Sequence, residues 1–325
     1  MILSFSFFLF MFLGIDLGGT TCSLGLMDER GALHHSAQIA TQQSDAPDVM
    51  LGRIAAAARA VIEKSSVPVE AVGIGVPGHI RHAAGVCVYA PNLNGWSDLP
   101  VGPLLSQQIG LPVLALNDAN AAALGEARFG AGMGAADVLV LTLGTGIGSG
   151  LILDGELRLG ASERGAEVGH ITVDINDKRG SAGNVGTLES VCGRDAIVWR
   201  AMRALTRGGS SLIPEICPDL SQLAPLHIAL AAERGDDLAR KVWQETASYL
   251  AVGIVNVVFT ADVSRVVIAG GVAQVGEPLF EPLRHAVAAR TSRFTFDVSQ
   301  IVPAALGSSA GTIGAAQWAH ERSKS

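Results

Sequence analysis

Apolar and polar positions divide the chain into two kinds of segment. Short apolar runs bounded by Gly, Pro, Asn or Asp read as buried strands, at Phe10–Asp16, Leu24–Met27, Val69–Val76, Val113–Leu116, Val138–Leu143, Gly150–Leu153 and Val266–Ala269. Longer Ala-rich stretches read as helices, at Val49–Lys64, Ala119–Phe129, Leu238–Phe259, Pro278–Ala289 and Ser308–His320. Strands alternating with helices point to an α/β architecture. No low-complexity tract, long linker or solenoid period interrupts the pattern. One internal echo stands out: GIDLGGTTCSLGLMDERG and VLTLGTGIGSGLILDGEL each read as strand, Gly bend, strand and charged turn. Two such hairpins, one per expected domain, suggest an ancient duplication with both bends facing a single ligand.

The length of 325 residues exceeds one ordinary domain of roughly 100–200 residues, and the 49% hydrophobic content can fill two cores. Gly is abundant, with 39 residues, and aromatics are scarce at 5%, which suits close backbone approach to a ligand better than base stacking. A net charge of −7 with no basic stripe argues against a nucleic-acid partner. Cys22, Cys87, Cys192 and Cys217 are scattered without a C-x-x-C pair, which fits a reducing cytoplasm rather than a disulfide scaffold. The opening MILSFSFFLFMFLGI is apolar and uncharged, but it lacks a basic flank and is short for a span of about 20 residues. It is therefore read as a buried first strand preceded by an apolar extension, Met1–Leu9, that has no assigned role, and no membrane contact is expected.

Several motifs could carry chemistry. Asp16 ends a strand before Gly18, Gly19 and Thr20. Glycines there let backbone N–H groups reach phosphate oxygens, and the carboxylate could hold Mg²⁺ through water. An ordinary hairpin turn explains the same residues. Gly144, Thr145 and Gly146 form the second bend; a strand rather than a helix follows, which excludes a dinucleotide fingerprint, and no G-K-[ST] follows, which excludes a Walker loop. Asn117 and Asp118 precede NAAALGE at the start of a helix. Either could simply cap it, or Asp118 could be a general base, ionised near neutrality if its pKa is the ordinary value of about 3.9. Glu167, His170 and Glu189 could meet sugar hydroxyls or be surface groups. Gly270 and Gly271 break a buried strand, either for an adenosine lying on backbone or as a plain turn.

In this order GIDLGGT, GVPG, APNLNGW, NDANAAALGE, LGTGIGSGLI, EVGH, GNVGTLE and AGG span nearly the whole chain, and the set resembles the ROK family of sugar kinases and repressors in the actin-like ATPase superfamily. The resemblance implies a two-domain, ribonuclease H-like α/β fold with an interdomain cleft. Its expected smaller domain comprises residues 1–117 plus 308–325, and its larger one residues 118–307. It also implies ATP-dependent phosphorylation of a hexose with Asp118 as base. Gly78, Asn117, Asp118, Glu167, His170 and Glu189 would hold the sugar. Asp16 would lie at Mg²⁺, Gly18, Gly19, Thr20, Gly144, Thr145 and Gly146 at the phosphates, and Gly270 and Gly271 at the adenosine. A cytoplasmic homodimer with a role in glycolysis is expected.

Glucose is the first choice of sugar, because nothing signals an acetamido pocket; N-acetylglucosamine, N-acetylmannosamine, fructose and allose are the alternatives. One departure is conspicuous. The family's C-x-C-G-x-x-G-C-x-E joins the E-x-G-H histidine to bind structural zinc, but the matching positions here are Gly180, Ala182 and Thr187, so zinc is expected to be absent. A repressor would carry a helix-turn-helix domain ahead of the kinase fold, where only Met1–Leu13 stand before GIDLGGT. A non-catalytic sugar sensor would be expected to lose Asp118 or the bends, and a polyphosphate-using kinase would differ in its phosphoryl donor.

Overall fold

The computed structural model describes residues 10–181 and 183–323; Met1–Leu9 and Ala182 lie outside the described residues. The chain divides into two compact units, one of residues up to Phe129 with Leu159–Gly165 and the segment from Ser308 onward, the other of Gly130–Arg158 and Ala166–Gly307.

In the first unit, β1 (Met11–Leu17), β2 (Thr21–Asp28), β3 (Leu33–Ala40), β4 (Val69–Val76) and β5 (Val113–Asn117) form one sheet in the order β3-β2-β1-β4-β5. β1 and β2 form an antiparallel hairpin, while β4 and β5 join parallel to β1. Phe12, Leu13, Ile15 and Leu17 are fully buried. Strands covered on both faces carry such unbroken apolar runs, and this is why β1 is legible without alternation. The apolar pattern does not predict β3: LHHSAQIA is mostly exposed and polar, as an edge strand can be.

The C-terminal helix Ala310–Ser323 lies directly on this sheet. A Cβ on Gly14 would stand 2.9 Å from the backbone nitrogen of Ala316, so only glycine permits the approach. The helix Asp118–Phe129 packs against the same C-terminal helix, with Gly314 close to the backbone of Ala121 and Gly125. That packing puts residues 118–129 in the first unit, where the sequence reading ends its small domain at residue 117. The seven-residue return, Leu159–Gly165, also belongs to the first unit: Glu163 accepts the backbone N–H of His82 at 2.7 Å.

The second unit repeats the plan. β6 (Val138–Leu143), β7 (Ile147–Leu153), β8 (Glu156–Leu157), β9 (Arg265–Ala269) and β10 (Ile301–Pro303) follow the order β8-β7-β6-β9-β10, with β6 and β7 antiparallel and β9 and β10 parallel to β6. The equal orders give the sequence echo a structural counterpart. The helix Asp237–Ala261 runs through this core with Trp243 fully buried. Its N-terminus is capped by Asp236, which accepts the N–H of Ala239 at 2.7 Å. Among the described residues, no helix is long and apolar enough to cross a membrane.

Candidate active site

In the first unit the residues selected from the sequence gather at the carboxyl ends of β1, β4 and β5. The bend after β1 is closed by Gly18 N–H donating to the Thr21 carbonyl at 2.9 Å. Gln43 steadies it from outside, donating to the Gly19 carbonyl at 2.9 Å, a contact with no signal in the sequence. Thr20 is exposed, and its carbonyl accepts the N–H of Thr41 at 2.8 Å. Asp16 is the half-buried position near the end of β1, level with Gly75 of β4. A Cβ on Gly75 would lie 3.5 Å from Cα of Asp118 and 3.7 Å from the Asp16 carboxylate, so this glycine leaves the space between the two acids open. Gly311, in the first turn of the C-terminal helix, abuts the Asp16 carboxylate closely enough that a Cβ would fall 2.6 Å from its Cγ. Neither glycine is among the residues that the sequence assigns to the site.

Asn117 is the cap of the following helix, since its Oδ1 accepts the N–H of Asn120 at 3.0 Å. Its amide donates to the Gly78 carbonyl at 2.9 Å and to Asp118 Oδ1 at 3.1 Å. Asp118 Oδ1 also accepts the N–H of Ala119 at 2.8 Å. The cap and the candidate base are therefore separate residues, which the sequence leaves open. The expectation of an ordinary carboxyl pKa needs correction. Burial raises Asp118 above the usual range, and the N–H groups of Ala119 and Asp118 and the Asn117 amide only partly offset it. Asp16 is pushed up from 3.8 to about 7, chiefly by burial and secondly by the charge of Asp118. Cys22, on the next strand, is buried with its thiol pushed up to about 12 by burial, as suits inert packing.

In the second unit a parallel set forms at the carboxyl ends of β6 and β9. Gly144 N–H donates to the Gly146 carbonyl at 2.9 Å to close the bend, and the Gly144 carbonyl accepts the N–H of Arg194 at 2.9 Å. Glu189, on the short helix Leu188–Cys192, accepts the N–H of Ile147 at 2.9 Å through Oε2. That oxygen also closes over Gly146, where a Cβ would collide with it. Glu189 thus braces the second bend. The Gly193 backbone lies against the Thr145 carbonyl, and a Cβ there would stand 2.7 Å away.

The Glu167–His170 turn is seated on β7. Val168 N–H donates to Ser149 Oγ at 2.9 Å, and Ser149 Oγ in turn donates to the Ala166 carbonyl. His170 Nε2 lies 3.8 Å from the Glu167 carboxylate. Gly270 has φ +88° and packs against the Leu143 backbone, where a Cβ would stand 2.7 Å from the Leu143 nitrogen, so glycine is required on both counts. Gly271 follows it into the short turn Val272–Val275, and a Cβ there would meet nothing within 4 Å.

Proteins of known activity and structure share this plan. A glucokinase of Thermotoga maritima is 34% identical over 310 residues, covering 95% of this chain and 97% of that protein. The solved structure of a ROK family glucokinase from Streptomyces griseus, in complex with glucose and AMPPNP, superposes with a TM-score of 0.78 at 33% identity, covering 96% of this chain and 99% of that one. A ROK hexokinase from Thermus thermophilus superposes with a TM-score of 0.83 at 30% identity, over 97% and 99% of the respective chains. The fold is thus the two-domain actin-like ATPase fold of ROK glucokinases. Residues 12–322 match the ROK family, and the chain belongs to it.

Proposed function

We propose that this ROK-family chain is an ATP-dependent hexose kinase whose substrate is glucose, with the γ-phosphoryl group passing from ATP to a sugar hydroxyl. The observation that carries the reading is the division of labour at the head of the Asp118–Phe129 helix. Asn117 does the capping, so Asp118 is left as a half-buried carboxylate beside Asp16 with no structural task that requires its charge. Its raised pKa makes it a better acceptor for the hydroxyl proton than an exposed aspartate, because proton acceptance improves as basicity approaches the working pH. As the phosphorus–oxygen bond forms, Asp118 takes that proton. The hydrogen bonds from Asn117 and Ala119 hold the carboxylate in place meanwhile.

The remaining residues position the reactants. Gly78, Asn117, Glu167, His170 and Glu189 hold sugar hydroxyls. The bends Gly18–Thr20 and Gly144–Gly146 present backbone N–H groups and two threonine hydroxyls to the phosphates, and Gly270 and Gly271 accept the adenosine against bare backbone.

Two acids packed closely enough for one to raise the other's pKa are also a fitting place for a divalent cation. Asp16 would hold Mg²⁺ through water; when bound, the ion offsets the negative charge of the transferring phosphates. The protein acts in the cytoplasm as a homodimer.

The direct test is ADP release, followed with a coupled assay across glucose, N-acetylglucosamine, N-acetylmannosamine, fructose and allose, with ATP or polyphosphate as donor. Glucose with ATP should give the highest kcat/KM. A higher value for another hexose, or for polyphosphate, would replace that part of the assignment. No turnover with any of them would favour a sugar-sensing role.

A further inference from the structure

The family's structural zinc does not fit the residues of this chain. Gly180 has no side chain to offer. Thr187 Oγ1 caps the Leu188–Cys192 helix by accepting the N–H of Ser190 at 3.3 Å, so its hydroxyl is already employed. Cys192, the nearest thiol in sequence, is buried with its Sγ on the Thr246 carbonyl. Burial holds that thiol up at about 12, far from the thiolate a zinc ion needs. Of the expected donor set only His170 is present among the described residues, and one imidazole makes no closed tetrahedral site.

Something else must fasten the segment between His170 and Glu189, because both of its ends carry proposed sugar ligands. A different fastener is visible. The Arg179 guanidinium binds both oxygens of Asp177, with Nε at 3.1 Å from Oδ1 and 3.0 Å from Oδ2, and it stacks 4.7 Å above the Trp199 ring. Trp199 stands on the helix Arg194–Thr206, outside the loop, so this stack ties the loop to the body of the unit. The Arg179 carbonyl accepts the N–H of Gly186 at 2.7 Å and the hydroxyl of Ser190 at 3.3 Å, and Ser190 is the neighbour of Glu189. Asp174 reaches the long helix by accepting the Tyr249 hydroxyl at 3.0 Å. At the other end Asn184 donates to the His170 carbonyl at 2.9 Å. The Gly186 carbonyl accepts the N–H of Val173 at 2.8 Å, closing the loop on itself.

We propose that Arg179, clamped between Asp177 and Trp199, is a positioning residue that fastens the Ile171–Leu188 loop in place of the family's zinc and so sets the placement of His170 and Glu189. A planar, permanently charged guanidinium suits this role, since it can pair bidentately with a carboxylate and present its face to an aromatic ring at once. Lysine can supply the charge but not the planar fork. The effect on His170 and Glu189 rests on the sugar-kinase reading; the fastener itself does not.

The experiment pairs hydrogen–deuterium exchange of the loop amides with steady-state kinetics on full-length Arg179→Gln, Arg179→Lys and Trp199→Ala, purified without an affinity tag, with zinc measured by elemental analysis. Arg179→Gln is expected to speed exchange across residues 172–188 and to raise the glucose KM about tenfold while kcat changes much less. Arg179→Lys should recover part of both, and Trp199→Ala should speed exchange on its own. Unchanged exchange in folded Arg179→Gln overturns the proposal. So does about one equivalent of zinc per wild-type chain whose chelation speeds exchange in the same residues. Faster exchange with an unaltered glucose KM leaves the fastener standing and removes His170 and Glu189 from the sugar site.

Discussion

The two glycine bends occupy equivalent places in two sheets of the same strand order and are finished differently. The first spans four residues between the last strand pair, Leu17 and Cys22; the second spans three, between Leu143 and Ile147. One position before the last residue of each strand, β1 carries Asp16, level with Gly75 on its parallel neighbour, whereas β6 carries Thr142, level with Ala269. The carboxylate of the first bend thus comes from the strand itself. That of the second arrives from another element, as Glu189 reaches in to take the Ile147 N–H. One backbone plan therefore yields two chemical environments. The first keeps an acid of raised pKa beside another acid, and the second uses an acid to brace a loop.

The largest expected effect comes from removing the strand-borne acid. Asp16 has a folded pKa of about 7 against 3.8 when exposed. With the folded value above the unfolded one, its protonated form favours the fold below about pH 4, and that contribution is lost as pH rises through about 7. In metal- and ligand-free protein, Asp16→Asn should raise the unfolding free energy at pH 8 by up to about 4 kcal/mol and by little at pH 4. Urea melts in EDTA at both values check this. Thr142→Val, at the matching position, should show no such pH dependence, and equal behaviour of the two variants would erase the contrast between the bends.

Next in size is Asp118→Asn, expected to lower kcat by at least about 10²-fold with little change in glucose KM. In the unaltered protein, activity requires the ionised carboxylate, so kcat/KM should fall as pH drops through a value above the ordinary aspartate range. A pH–rate profile that stays flat down to the ordinary range of about 4 would show that the raised pKa has no part in turnover.

The smallest effect sharpens the second bend. A Cβ at Gly146 would meet the Glu189 carboxylate, while at Gly144 it would meet only the Gly146 carbonyl at 3.9 Å. Gly146→Ala should therefore raise the KM for ATP about tenfold, or about 1.4 kcal/mol, with Gly144→Ala near the parent value. Similar values for both would mean that Glu189 yields easily and does not brace the bend.

Much of this is legible in the chain. Unbroken apolar runs mark β1, β6 and β9, because strands buried on both faces need no polar side, and the Gly-rich ends of β1 and β6 betray the bends. The helix beginning at Asp118 and the paired hairpins can also be read from spacing alone. Edge strand β3 cannot, because its polar sequence satisfies an exposed strand and an irregular loop equally well. Nor can the end of the first unit at Phe129, which depends on the C-terminal helix returning onto the Asp118–Phe129 helix across nearly two hundred residues of chain.

By itself the sequence determined the chemical repertoire: which segments can be buried, which bends admit bare backbone, and that thiolates for a zinc site are lacking at Gly180, Ala182 and Thr187. The tertiary structure decided which groups of that repertoire act on one another. It assigned the helix cap to Asn117 and so released Asp118, left the space between Asp16 and Asp118 open at Gly75, and turned Glu189 onto the second bend. It also brought Trp199 beneath Arg179. The physical reason is that burial and proximity raise or lower a group's basicity and settle its partners, and both depend on contacts between segments far apart in the chain.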